Sequence, residues 1–304
     1  MVAVHGAGTL FCLASAAAFG AMAIFVKLAY EQGATAGTLL STRFILAAGV
    51  FWLVLALRGR TGEVRALPRR DLVLGLLLGA VGYAAQAGAY FSALERIDAS
   101  LLALLLYTFP AMVTVAAVAI GRERFEARRA LALILATGGG VLILGGAGRG
   151  ALDPLGAVLG LAAAATYSAY ILTSDGVARR VRPDLLATIV CTGAAISLTA
   201  GLGALGLLEP GSVTVAGWGW LAALALVSTV AAIALFFAGL RRVGPTAAAI
   251  LSTVEPLVTV LLAFAVFGER LGPVQLAGGG LVLAAVPILH ARLPRARRLA
   301  PGYH

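Results

Sequence analysis

Shifted along itself by 146 positions, the sequence lays residues 94–125 over 240–271 without a gap, with nine identical pairs among thirty-two. The anchors are Leu94/Leu240, Arg96/Arg242, Pro110/Pro256, Glu123/Glu269 and Arg124/Arg270. A match of this kind means one structural unit built twice. If an odd number of membrane spans separates the copies, they face opposite ways across the bilayer, which is a carrier architecture.

Composition supplies the membrane. Of the residues, 61% are apolar and only 12% charged, and mean hydropathy is +1.00; a soluble domain carries about twice that charge. The net charge of +10 comes from short basic clusters between apolar stretches, without interleaved aromatics. That pattern reads as loops on a cytoplasmic face and not as a nucleic-acid surface. Cys12 and Cys191 lie inside apolar runs, so neither a disulfide framework nor a metal site is expected. His5 and His304 are terminal and His290 closes the last apolar run. The first run lacks a basic n-region and a small-residue cleavage site, and reads as a retained span.

A hydrocarbon core of ~30 Å takes about 20 helical residues to cross. Ten stretches qualify: 8–30, 35–57, 71–93, 98–120, 127–147, 152–174, 185–207, 215–239, 245–267 and 272–291. With the N-terminus inside, the inner loops hold eighteen arginines: Arg58, Arg60, Arg65, Arg69, Arg70, Arg122, Arg124, Arg128, Arg129, Arg179, Arg180, Arg182, Arg241, Arg242, Arg292, Arg295, Arg297 and Arg298. The outer loops hold three, Arg96, Arg149 and Arg270. The bias predicts both termini in the cytoplasm. The repeat then covers spans 4 and 9, five spans apart. The expected fold is an all-α membrane protein of ten transmembrane helices in two inverted five-helix repeats, 1–150 and 151–304, forming a single membrane domain with a site between them near the midplane.

The pattern from Pro110 to Gly121-Arg122-Glu123-Arg124, with its counterpart from Pro256 to Gly268-Glu269-Arg270, resembles the drug/metabolite transporter superfamily, EamA-type branch. The resemblance spans essentially the whole chain. It implies export of small metabolites along a path lined by helices 1, 3, 4, 6, 8 and 9, and among relatives it is nearest to bacterial exporters of amino acids, including aromatic ones. The first copy departs from the pattern by the extra Arg122.

Glu255 is the sharpest candidate, about ten residues or ~15 Å into span 9. An intramembrane carboxylate faces a partner or a cavity. Either it is a protonated carboxyl bonded to a neighbouring helix, or it recognises a substrate ammonium group or serves a proton-linked switch. Its equivalent in the first copy is Phe109. Pro110 and Pro256 remove a backbone donor at matching positions and are hinge candidates, the alternative being a packed kink. Tyr83, Gln86 and Tyr90 share one face of span 3, Tyr167 and Tyr170 one face of span 6, and Tyr107 sits in mid-span 4. Such stripes also arise from packing, but a phenol at mid-depth needs a partner, so all six are candidate substrate-binding residues. Arg43, eight residues into span 2, reads foremost as structural, paired with a carboxylate or capping a helix end, the alternative being a substrate carboxylate; Lys27 reads as a surface ion pair with Glu31 at i+4, the alternative being a screen of anions at an outward mouth. Gly138-Gly139-Gly140 and Gly278-Gly279-Gly280 either close the bundle or support a dimer. The segment 146–150 lacks the lysine and the strand of a phosphate loop.

Spans 6 to 10 contain no lysine or arginine, which disfavours a phosphate ligand. One mid-membrane carboxylate among aromatic faces suits an amino acid with a sizeable apolar side chain; nucleobases and quaternary amines are the alternative. No cofactor, no metal and no catalytic constellation is expected. The expected partners are a small-molecule substrate and the lipid bilayer of a bacterial inner membrane, with monomer and homodimer both open.

Overall fold

The computed structural model describes residues 2–94, 96–97, 99–124, 126–144, 153–268 and 272–290. Glu269 and Arg270, the segment 146–150 with Arg149, and Arg292, Arg295, Arg297, Arg298 and His304 lie outside the described residues. So do the side chains of His5 and His290. Among the described residues every regular element is helical. In hydrocarbon a chain must satisfy its backbone polar groups internally, and a helix does so within one segment.

The elements are α1 (Val2–Gly20), α2 (Met22–Glu31), α3 (Ala36–Leu57), the short α4 (Thr61–Arg65), α5 (Arg69–Leu77), α6 (Ala84–Leu94), α7 (Ala99–Leu106), α8 (Phe109–Ala119) and α9 (Ala127–Leu144). They continue as α10 (Pro154–Ala178), α11 (Pro183–Ala204), α12 (Val215–Ala225), α13 (Ala232–Val243), α14 (Pro245–Ser252), α15 (Glu255–Phe267) and α16 (Pro273–His290). Two π-helical turns, Leu78–Tyr83 and Leu226–Ala231, join α5 to α6 and α12 to α13. Among the described residues seven helices are long and apolar enough to cross a membrane: Gly6–Glu31, Ala36–Leu57, Arg69–Tyr90, Pro154–Ala178, Pro183–Ala204, Val215–Val243 and Pro245–Phe267. Phe109–Ala119 and Pro273–Leu289 are shorter apolar helices.

Local sequence explains where these helices start and stop. Thr35, Asp153 and Thr214 cap α3, α10 and α12, their side chains accepting from the backbone N–H of Thr38, Gly156 and Gly217. Pro154, Pro183, Pro245 and Pro273 open their helices, where a missing N–H costs nothing. Gly244, at φ 83°, makes the one-residue corner between α13 and α14 that a side chain would strain.

Helix α1 packs on α13, α6 on α10, α3 on α11, and α9 on α16. In the last pair the glycine runs meet: a Cβ on Gly139 would sit 2.6 Å from the Gly278 carbonyl oxygen, and one on Gly278 2.6 Å from that of Gly139. This contact lies within the chain, so these two glycines serve to close the bundle. Cys12 and Cys191 are free and buried, against α13 and within the core.

The two ends of the bundle are fastened differently. Beyond the end of α3, Arg60 pairs with Glu63 at 2.6 Å and Asp184 at 2.7 Å, and Arg180 pairs with Asp71 at 2.6 Å. The hydrogen bond from Arg60 holds the Glu63 carboxyl below its ordinary value. The contribution of that pair is therefore complete above the ordinary carboxylate pKa and fades as pH falls through the lowered one. At the start of α3, ~33 Å away, the ties are neutral: Ser212 Oγ donates to the Gly33 carbonyl at 2.7 Å, Thr214 Oγ1 to Gln32 Oε1 at 2.8 Å, and the Glu209 N–H to Thr38 Oγ1 at 2.8 Å. Asp71 is the buried member of its pair, its side chain 7% exposed against 49% for Arg180. Asp71→Asn, which keeps the acceptor but not the charge, is expected to lower stability by about 1–2 kcal/mol, discounted for the half-exposed arginine. Thermal unfolding in detergent measures this, and an unchanged transition would show that the pair contributes nothing.

Candidate substrate cavity

The site begins where two helices break. Pro110 and Pro256 have no N–H to offer the carbonyls of Leu106 and Ser252 four residues earlier. The chain accordingly turns at Tyr107-Thr108 and at Thr253-Val254, and each proline opens the next helix. Thr108 Oγ1 and Thr253 Oγ1 both donate back to carbonyls three residues earlier, at 2.6 Å in each case. The turns and prolines match at the sequence offset of 146, the two threonines at 145, and the breaks bring Phe109 and Glu255 to matching places.

Opposing helices hold both breaks. Ser168 on α10 donates to the Phe109 carbonyl at 3.2 Å. On the other side a Cβ at Gly20 would lie 2.8 Å from the Glu255 carbonyl oxygen, so only a glycine lets α1 approach this closely. Thr259 Oγ1 spans the contact, reaching the Gly20 carbonyl at 2.9 Å and that of Glu255 at 3.1 Å.

One π-helical turn supplies the remaining wall and the other backs it. Such turns rotate side chains out of the α-helical register and concentrate at functional sites. The first carries Gly82 and Tyr83 to the cavity. The second carries Thr229, whose hydroxyl bonds the Leu224 carbonyl five residues back at 3.1 Å and accepts from Arg43 Nε at 2.9 Å.

The resulting cavity measures about 150 Å³. Tyr83, Gln86, Tyr107, Tyr167, Tyr170 and Glu255 all line it, together with Phe19, Met22, Arg43, Gly82, Leu106 and Phe109. Tyr90 is not part of the lining; it packs one turn further along with Ala93, Ile97 and Leu102. Pro110 and Pro256 are buried behind the wall they break. The rings form a continuous arc: Phe44–Tyr83 at 4.8 Å, Tyr83–Tyr170 at 5.7 Å, Tyr170–Tyr167 at 6.3 Å, Tyr167–Phe109 at 4.7 Å and Phe109–Tyr107 at 6.0 Å. Edge-to-face and tilted contacts of this kind are worth about 0.5–1.5 kcal/mol each beyond burial. The arc ends at Tyr107, which shares the lining with Glu255.

Arg43 is the residue that sequence reasoning undervalued. It faces the cavity, 6% exposed, beside Phe44. Its one sequence signal was its depth in span 2. Lys27, by contrast, stands 3.8 Å over the Phe267 ring, away from the cavity lining. The extra Arg122 donates to the Leu172 carbonyl at 2.5 Å, tying the end of α8 to α10. Among the described residues no group of His, Cys, Asp and Glu could hold a metal ion.

The profile of the EamA-like transporter family matches the chain twice, over residues 6–145 and 154–290. The chain belongs to the EamA-like transporter family. It is accordingly a multi-pass membrane transporter of small molecules. Among relatives of this EamA-like protein, the uncharacterized transporter YcbK of Bacillus subtilis is 28% identical over 286 residues, covering 92% of this chain and 91% of its own. An uncharacterized transporter of Archaeoglobus fulgidus is 30% identical over 202 residues, covering 66% of this chain and 70% of its own. A solved crystal structure superposes with a TM-score of 0.78 at 19% identity, over 93% of this chain and 96% of that one; at that identity the likeness is one of fold. The family resemblance places helix 8 along the path, yet the cavity lining takes no residue from α12, α13 or the turn between them. That helix contributes through Thr229, one bond behind Arg43.

Proposed function

We propose that the chain is a secondary transporter that exports small metabolites, foremost amino acids with apolar or aromatic side chains, across the bacterial inner membrane by alternating access. The observation that carries this reading is the cavity itself: a mid-membrane carboxylate closing an arc of aromatic rings. Its volume matches that of an engineered cavity that accepts a benzene ring. That favours a metabolite with a handful of heavy atoms over a nucleotide sugar or a peptide.

The architecture we infer is ten spans in two inverted repeats, 1–150 and 151–304, with both termini cytoplasmic. Three features support it. The family profile matches each part separately; the helix breaks and the π-helical turns recur at offsets of 146 and 148 residues; and the packing is reciprocal, α1 against α13 and α15 as α10 is against α6 and α8. Rocking of the two repeats about the cavity would then expose it to either side, with Pro110 and Pro256 as hinges.

Counterflow into proteoliposomes loaded with each amino acid in turn tests the substrate. Uptake of labelled leucine or phenylalanine above that of protein-free vesicles is expected. No counterflow of any amino acid sinks the reading. A quaternary amine is the second reading, favoured by tyrosine rings beside a carboxylate, and the same vesicles loaded with choline provide its arm.

A further inference from the structure

Within the amino-acid reading, on which this step rests, the geometry points to Arg43 as the anchor for the substrate carboxylate, opposite Glu255 as the anchor for its ammonium group. A guanidinium buried at this depth costs about 2.5–3.5 kcal/mol and is normally matched by an anion. Arg43 lacks one: none of the ion pairs among the described residues joins it to a carboxylate. Its Nε is spent on Thr229, and one Nη reaches only the weak acceptor Met22 Sδ at 3.1 Å. These are two of its five N–H groups, and the side chain lines the cavity. The Thr229 bond fixes the plane of the fork, which is the arrangement that recognises a carboxylate with two parallel bonds.

Glu255 supplies the opposite charge in the same cavity. The side formed by the end of α1 and the start of α2 meets both residues: Met22 Sδ accepts from Arg43, and Gly20 packs against the Glu255 backbone carbonyl. The α-ammonium nitrogen and carboxyl carbon of an amino acid are about 2.5 Å apart. A zwitterion lying against that side offers each protein charge its complement. Its side chain then points to the tyrosine arc. A lone cation gains Glu255 but meets Arg43, and a lone carboxylate has the reverse problem, so the pair selects against both.

Binding of leucine, leucinamide and 4-methylpentanoate to the purified protein separates these contributions. The wild type is expected to bind leucine at least about tenfold tighter than leucinamide, the usual effect of a charge-assisted hydrogen bond. Arg43→Gln is expected to erase that preference by weakening leucine and tightening leucinamide, and Arg43→Lys to restore part of it. If leucinamide competes as well as leucine in the wild type, or if Arg43→Gln keeps the preference, the anchor is overturned and the amino-acid reading stands. If neither leucine nor its analogues bind while choline does, the amino-acid reading falls and the anchor with it. The wild-type competition needs no variant, so a misfolded Arg43→Gln does not shield the assignment.

Discussion

Glu255→Gln is expected to cut counterflow of an amino acid by about 10- to 100-fold while the protein still folds. Glutamine has nearly the shape of glutamate and keeps an acceptor oxygen. What it removes is the charge. A hydrogen bond to a charged group is worth about 1.5–3 kcal/mol, which is the source of the expected fold-change. Removing one of two opposite buried charges leaves the other uncompensated, so the melting transition is read beside transport as the control. A variant that transports normally would remove Glu255 from substrate recognition. One that transports poorly and also melts early would instead make it part of the scaffold.

Gly139→Val is expected to disrupt the bundle, costing about 1–3 kcal/mol or more. The first added carbon meets the Gly278 carbonyl oxygen at 2.6 Å, Val282 Cγ2 at 2.8 Å and the Val282 backbone nitrogen at 2.9 Å. Two of these three are backbone atoms, which have no rotamer to change. Gly138→Ala is the matched control, because a Cβ there meets nothing within 4 Å. Thermal unfolding in detergent reads both. Equal transitions for the two variants would mean that α9 and α16 do not depend on this close approach.

The helices were legible because hydrocarbon leaves a chain few choices. The stretch 35–57 read from hydropathy is α3 at Ala36–Leu57, and 245–267 is the span Pro245–Phe267. The site was legible where a residue was anomalous for its surroundings: Glu255 in an apolar run, Pro256 inside a helix, paired tyrosines at helical spacing. Tyr90 shows the limit of that method. It shares a face with Gln86 but stands one turn beyond the cavity, and a periodic pattern gives rotation about a helix without saying how far along it a cavity extends. Arg43 shows a second limit. Its partner Thr229 is 186 residues away and is brought round by a π-helical turn, for which the sequence around Ser228-Thr229 carries no recognised signal.

The unequal fastening of the two ends gives the molecule a sensitivity to its solvent that its repeated sequence does not announce. Ion pairs such as Arg180–Asp71, half open to water, weaken as dissolved salt shortens the reach of charge to about 8 Å at physiological strength and about 3 Å at 1 M. Bonds such as Ser212 to Gly33 are neutral and do not respond. Higher ionic strength is therefore expected to weaken the ties of Arg60 and Arg180 more than the hydroxyl bonds at Gly33 and Gln32.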